Sequence, residues 1–218
     1  MSRSDTSNDY FLWSLLVGLA MALGWSAYQP KDAFTWFLEA VPVLIAVPLL
    51  ALTWRRFPFS RFAYAMMWLH ALILLVGAHY TYAEMPLFDW LRDANGLARN
   101  HYDRLGHFVQ GAVPAIVARE ILLRLSPVPR GNWLFFLVLC ICLAISAFYE
   151  LIEWWVALVS ESEAVAFLAT QGDVWDTQWD MFLALCGALF SLIFLARRHD
   201  RSMGRLHAFL GMSGRQQR

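Results

Sequence analysis

Six apolar runs, each about as long as a bilayer is thick, follow one another with only short polar breaks. This pattern constrains the chain more than any motif does. The runs cover residues 11–27, 34–54, 62–82, 103–125, 133–159 and 177–196. A hydrocarbon core of ~30 Å needs about 20 apolar residues in a helix to cross it, and in lipid a helix satisfies its own backbone. The expected fold is therefore all-α: a polytopic bundle of six transmembrane helices in one integral membrane domain, residues 1–218. The composition agrees, with 59% hydrophobic and 16% charged residues, well outside the habit of soluble domains.

The breaks carry the orientation. Arg3, Arg55, Arg56, Arg61, Arg124, Arg130 and the six arginines after Ala196 fall on the side of the termini. The opposite side has Lys31, Arg92, Arg99 and Arg104. The positive-inside rule then places both termini in the cytoplasm of a bacterial inner membrane. Residues 1–9 are polar and are expected to be disordered or to lie at the surface, and the first run reads as a retained helix. Pro42, Pro48 and Pro114 should bend their helices. The segment from Pro86 to Arg92 has the spacing of a short amphipathic helix on the membrane surface. Cys140, Cys142 and Cys186 sit inside apolar runs and read as buried, reduced packing residues. Beyond the Arg-rich tail there is no nucleic-acid signature.

The chemistry lies where this topology brings three segments to one depth. Asp103 and His107 stand one helical turn apart at the start of the fourth run. Glu150 and Glu153 lie near the outer end of the fifth, and Asp176 and Asp180 open the sixth. Glu39 and His79 also fall at outer helix ends, and an acidic loop holds Glu161, Glu163 and Asp173. Acids at helix N-termini are ordinary caps, which accounts for Asp103 and Asp176. Capping does not account for Glu150 and Glu153 near a C-terminus, or for His107 and Asp180 a turn inside. Ionisable groups at membrane depth are costly and mark functional sites. His107, Asp103, Glu150, Glu153 and Asp180 are therefore the candidate catalytic groups. His107, Glu150, Glu153 and Asp180 also form a donor set that suits a divalent metal ion such as zinc, manganese or magnesium. Arg104 is the expected counter-charge. At the other end, Glu120 and Arg124 form an i, i+4 pair, Arg119 is expected to snorkel, and His70 reads as a hydrogen-bonded packing residue.

Three stretches also carry a resemblance: Tyr102-Asp-Arg-Leu-Gly-His-Phe, Tyr149-Glu-Leu-Ile-Glu-Trp, and Gln171-Gly-Asp-Val-Trp-Asp-Thr-Gln-Trp-Asp-Met. Together they resemble the YjdF-type family of bacterial inner-membrane proteins, which implies a location and no established activity. More loosely, Asp103, His107, Phe108, Glu150 and Asp180 follow the order seen in VanZ-like membrane proteins. That likeness implies cell-envelope or lipid-linked work. Arg104 stands where that family often has Lys, and the second acid, Glu153, departs from its pattern. Three classes of function stay open from the sequence. The first is an enzyme or binding protein for a lipid headgroup or lipid-linked envelope precursor. The second is a small proton-coupled transporter, and the third a non-catalytic membrane scaffold.

Overall fold

The alternation of apolar runs and polar breaks appears as helices and short connections in a computed structural model of the chain. It describes residues 3–159 and 168–216, with side chains for 9–159 and 168–206; Glu161 and Glu163 lie outside the described residues. The helices are α1 (Arg3–Ala27), α2 (Ala33–Thr53), α3 (Arg61–Tyr80), α4 (Pro86–Asn95), α5 (Tyr102–Leu125), α6 (Asn132–Val159), α7 (Asp176–Phe190) and α8 (Ala196–Gln216). A single π turn, Ser191–Leu195, joins α7 to α8 without a break. No strand occurs among the described residues. The fold is all-helical, with five stretches long and apolar enough to cross a membrane: Asp9–Ala27, Ala33–Thr53, Arg61–Tyr80, Asn132–Val159 and Asp176–Leu206.

Local signals set the helix ends. Asp32 caps α2 by accepting from the Thr35 amide at 2.7 Å, and this bond holds its carboxyl below the usual range. Ser60 caps α3, Pro86 opens α4, and Gly96 closes α4 in the left-handed conformation with φ 62°. Two expectations need correcting. Helix α1 starts at Arg3 rather than near Phe11, and the Arg-rich tail is helical to Gln216. Helices α2 and α5 run through their prolines, which remove a backbone donor within each helix. The surface helix expected from Pro86 onward is α4, which buries no residue fully.

The centre of the bundle is α5, packed against α3, α6 and most extensively α7. It carries Asp103, Arg104, Arg119, Glu120 and Arg124, too many charges to resemble a lipid-facing helix. Small residues let its backbone touch that of α7. A Cβ on Gly111 would strike the Ala184 carbonyl, and one on Gly187 would strike the Phe108 carbonyl. The face of α7 holding Asp180, Ala184 and Ala188 is buried. Of the cysteines, only Cys142 is buried; Cys140 is exposed on the bundle exterior and Cys186 is half-buried.

At the arginine-rich end a polar network ties α3, α5 and α8 together. Glu120, fully buried, accepts from the Ser60 amide at 2.8 Å, the Ser60 hydroxyl at 2.7 Å and Arg124 at 2.8 Å. His199 Nε2 lies 2.9 Å from its other oxygen. Arg119 does not snorkel: it is buried, 3.2 Å from His199 Nδ1 and 2.9 Å from Asp200. Every carboxylate oxygen and guanidinium here that is fully removed from solvent has a partner.

The α5–α7 contact predicts the cost of one methyl group. Gly111→Ala should destabilise the protein by about 2 kcal/mol or more, because backbone rather than a mobile side chain must move. Gly24→Ala, which meets nothing within 4 Å, should be neutral. Thermal unfolding of both variants in detergent checks this. Equal melting temperatures would remove close helix approach as the organising contact.

Candidate functional site

At the opposite end of α5 the charged residues are arranged differently. Asp103 and His107 sit on its first two turns, Asp180 one turn inside α7, and Glu150 near the end of α6. Tight α5–α7 packing brings these helices to one point, and all four side chains are buried. His107 is the hub. Its Nε2 lies 3.4 Å from Asp103 Oδ1 and 3.9 Å from Asp180 Oδ2. Its Nδ1 lies 3.8 Å from Glu150 Oε1. The Tyr149 ring stands edge-on to the imidazole with centroids 6.3 Å apart.

Four atoms of this cluster are buried without a hydrogen-bond partner: Asp103 Oδ2, His107 Nδ1, Glu150 Oε1 and Asp180 Oδ1. Ser146 Oγ, one turn before Glu150, is in the same condition. An unmade buried hydrogen bond costs about 1–3 kcal/mol per group, and more for a charge. One donor atom each from Asp103, His107 and Asp180 lies within 4.8 Å of the others. Bonds of about 2.1 Å to one ion would bring such atoms to roughly 3–3.5 Å, a modest contraction from the distances here. Glu150 stands on the other face of the imidazole, the place of a carboxylate that orients a ligating histidine. Glu153 lines the adjacent cavity, beyond the three-residue group.

Arg99, rather than Arg104, is the counter-charge nearest this cluster. It is buried, ion-paired with Asp176, 3.6 Å from Asp103, and donates to the Ala169 carbonyl at 3.2 Å. Asp176 and Asp103 are therefore not ordinary caps: the N-cap positions are His101 and Trp175, the first amide of α5 is capped by Asn100 Oδ1 at 3.0 Å, and both acids face Arg99. Arg104 pairs with Asp173 at 2.9 Å and lies over the Trp179 ring. Burial and the two arginines lower the pKa of His101, which keeps it neutral at pH 7.

Sequence reasoning also missed a clasp between two loops. Asn100, fully buried, donates its amide to Gln171 Oε1 at 2.8 Å, and Gln171 Nε2 returns a bond to the Asn100 carbonyl at 2.9 Å. Ala169 and Gln171 hold φ values of 49° and 51°, unusual for residues with side chains and sustained here by the Arg99 and Asn100 bonds. The one signal available was the Arg99-Asn100 pair directly before α5.

A cavity of about 630 Å³ opens from the acidic cluster into the bundle. Glu39, Asp103, His107 and Glu153 stand at one end, Trp54 and Tyr64 at the other. His70 lines its middle and, contrary to expectation, leaves Nε2 buried without a partner. Tyr82 closes the acidic end, its ring held between Gly77 and Gly106, where a Cβ on either would strike it.

Loss of Arg99 should leave Asp103 and Asp176 buried and uncompensated. Arg99→Ala should cost ~3–5 kcal/mol of stability, with Arg99→Lys recovering only part because an ammonium lacks the planar fork. Chemical unfolding in detergent measures both; an Arg99→Ala protein as stable as the parent would contradict the assigned pairing.

Comparison with known proteins adds a family. The family described as "Predicted membrane protein (DUF2238)" matches residues 11–201. The inner membrane protein YjdF of Escherichia coli K12 is 51% identical over 193 residues, covering 88% of this chain and 92% of that protein. No solved structure matches the chain.

Proposed function

The chain belongs to the DUF2238 family of predicted membrane proteins, and from that premise we propose that it binds a divalent cation at the periplasmic face of the inner membrane and acts there on a lipid headgroup or lipid-linked envelope precursor. The observation that carries this reading is the contrast between the two ends of α5. At the Glu120 end the buried charges are hydrogen-bonded; at the His107 end each of the four residues that come together keeps one buried polar atom that makes no hydrogen bond. A network evolved only to hold helices together resembles the first, because half-satisfied polar groups weaken a core.

Asp103, His107 and Asp180 would be the ligands, and Glu150 would orient His107 through its other nitrogen. A bound cation supplies Lewis acidity toward a phosphoryl or carbonyl oxygen. Glu153, at the cavity wall, is placed to take a proton from a water or hydroxyl nucleophile. Counting α5 as a sixth span supports the depth. Its charges sit in two groups, at Asp103–Arg104 and at Arg119–Arg124, with fourteen residues free of Asp, Glu, Lys and Arg between them, a rise of ~22 Å from Arg104 to Arg119. Six spans and the excess of arginine at the Glu120 end put both termini in the cytoplasm. The transporter reading has less support, since the cavity wall beyond the cluster is mostly apolar.

Purified wild-type protein should carry stoichiometric metal. His107→Ala and Asp180→Asn should each lower it at least tenfold with folded yield unchanged. A wild type without metal, or metal retained in both variants, would sink the proposal. Orientation is tested separately in a cysteine-free background. Asn95→Cys should react with an impermeant maleimide from the periplasm, and Gly131→Cys only after the membrane is opened. The reverse pattern would invert the topology.

A further inference from the structure

Glu39 is the acid that the cation reading leaves without a task. It lies on α2, is only 2% exposed, and lines the cavity. Its carboxylate looks toward the Tyr82 backbone amide, yet neither oxygen closes a hydrogen bond of normal geometry. Glu153 lines the same end from α6. Among the described residues that line the cavity, none is Lys or Arg. Arg99 serves Asp103 from behind the cavity wall, so Glu39 itself has no Lys or Arg beside it there, and a positive charge against it must come with the occupant.

The rest of the cavity has the opposite character. Most of its wall is apolar, Leu12, Leu16, Val43, Leu50 and Met67 among it, and such a space disfavours polar molecules. Its lining on α2 runs from Glu39 to Trp54, fifteen residues or ~22 Å of helix. That exceeds the ~15 Å depth of a single leaflet, which gives it the length for one extended hydrocarbon chain. The route in is lateral. Helix α2 packs mainly on α3, and α6 on α5 and α7. Pro42 and Val43 thus face Ile145 and Tyr149 across the cavity without the two helices packing together.

We propose that the cavity is the binding site for one acyl chain of an aminophospholipid, which enters between α2 and α6 and sets its ammonium headgroup against Glu39 and Glu153. This rests on the headgroup reading of the acidic end and names the class of lipid that reaches it. Charge selects the head, because two acids in a cavity wall that holds no Lys or Arg favour an ammonium over an anionic glycerol head. Length and apolarity select the tail.

The test uses full-length protein in phosphatidylglycerol vesicles holding a trace of phosphatidylethanolamine with a diazirine at the end of one acyl chain. A matched phosphatidylglycerol probe runs in parallel. After irradiation the ethanolamine probe should label cavity-facing residues near Leu12, Leu50 or Met67. Ala46→Trp, which plugs the cavity, should reduce that labelling about tenfold. Leu49→Trp, on the exposed face of α2, should leave it unchanged. Ala71→Phe, on the α3 wall, is a second plug should Ala46→Trp yield no folded protein. Glu39→Gln should abolish the preference for the ethanolamine probe while preserving metal content. Labelling that ignores both plugs, or equal labelling by the two probes in the wild type, overturns the inference. Cavity-specific labelling in a protein without metal would overturn the cation reading alone. Metal without cavity-specific labelling would overturn this one alone.

Discussion

Everything in this protein depends on bringing a charged helix into the middle of a membrane bundle. Helix α5 has five formal charges, and in lipid each would cost several kcal/mol if left facing hydrocarbon. The chain solves this with glycine and alanine. Gly111 meets the Ala184 backbone and Gly187 meets the Phe108 backbone, so α5 and α7 approach closely enough to shut lipid out. Once that contact is made, the charges must find partners within protein. The positions of Arg99, Ser60, His199 and Asp200 follow from that demand.

The demand is met at one end of the helix and left partly unmet at the other. Glu120 shows what full satisfaction looks like: four polar groups around one carboxylate. The His107 cluster is also buried and holds three acids, yet its histidine nitrogens stand 3.4–3.9 Å from the nearest carboxylate oxygens. Stability alone gives no reason to keep such a gap open. The clasp of Asn100 with Gln171 makes the gap more telling, because it holds the two loops that lead into α5 and α7. The site is thus rigidly framed and underfilled in its centre.

Much of this was legible in the sequence, for a physical reason. Span length and the i, i+4 placement of Asp103 and His107 are local properties, and each survives into the structure as a helix or a shared face. The convergence of Asp103, His107 and Asp180 was reachable because membrane topology fixes depth, and depth is half of a three-dimensional position. What was not legible is the other half, lateral position. Arg99 looked like one more basic residue on an outer loop, and only the fold of that loop turns it inward to Asp176. Arg119 looked like a snorkelling side chain, and it is buried because α8 continues as helix and brings His199 and Asp200 to it. The cavity was invisible for the same reason, since it is a space between helices distant in sequence.

The π turn between α7 and α8 has a consequence for how the two ends communicate. Asp180 and His199 lie nineteen positions apart on one unbroken helical rod. At about 100° per residue a regular α-helix would leave them roughly 100° out of phase, facing different neighbours. The π turn at Ser191–Leu195 takes up one extra residue, and with it that angular error. Both side chains then point at α5, one at His107 and the other at Glu120. The rod works as a keyed shaft. Deleting one residue of the turn would leave eighteen positions, five full turns of ordinary helix, and keep both ends seated, whereas drawing the turn into ordinary helix without a deletion would leave either end correctly seated, but not both.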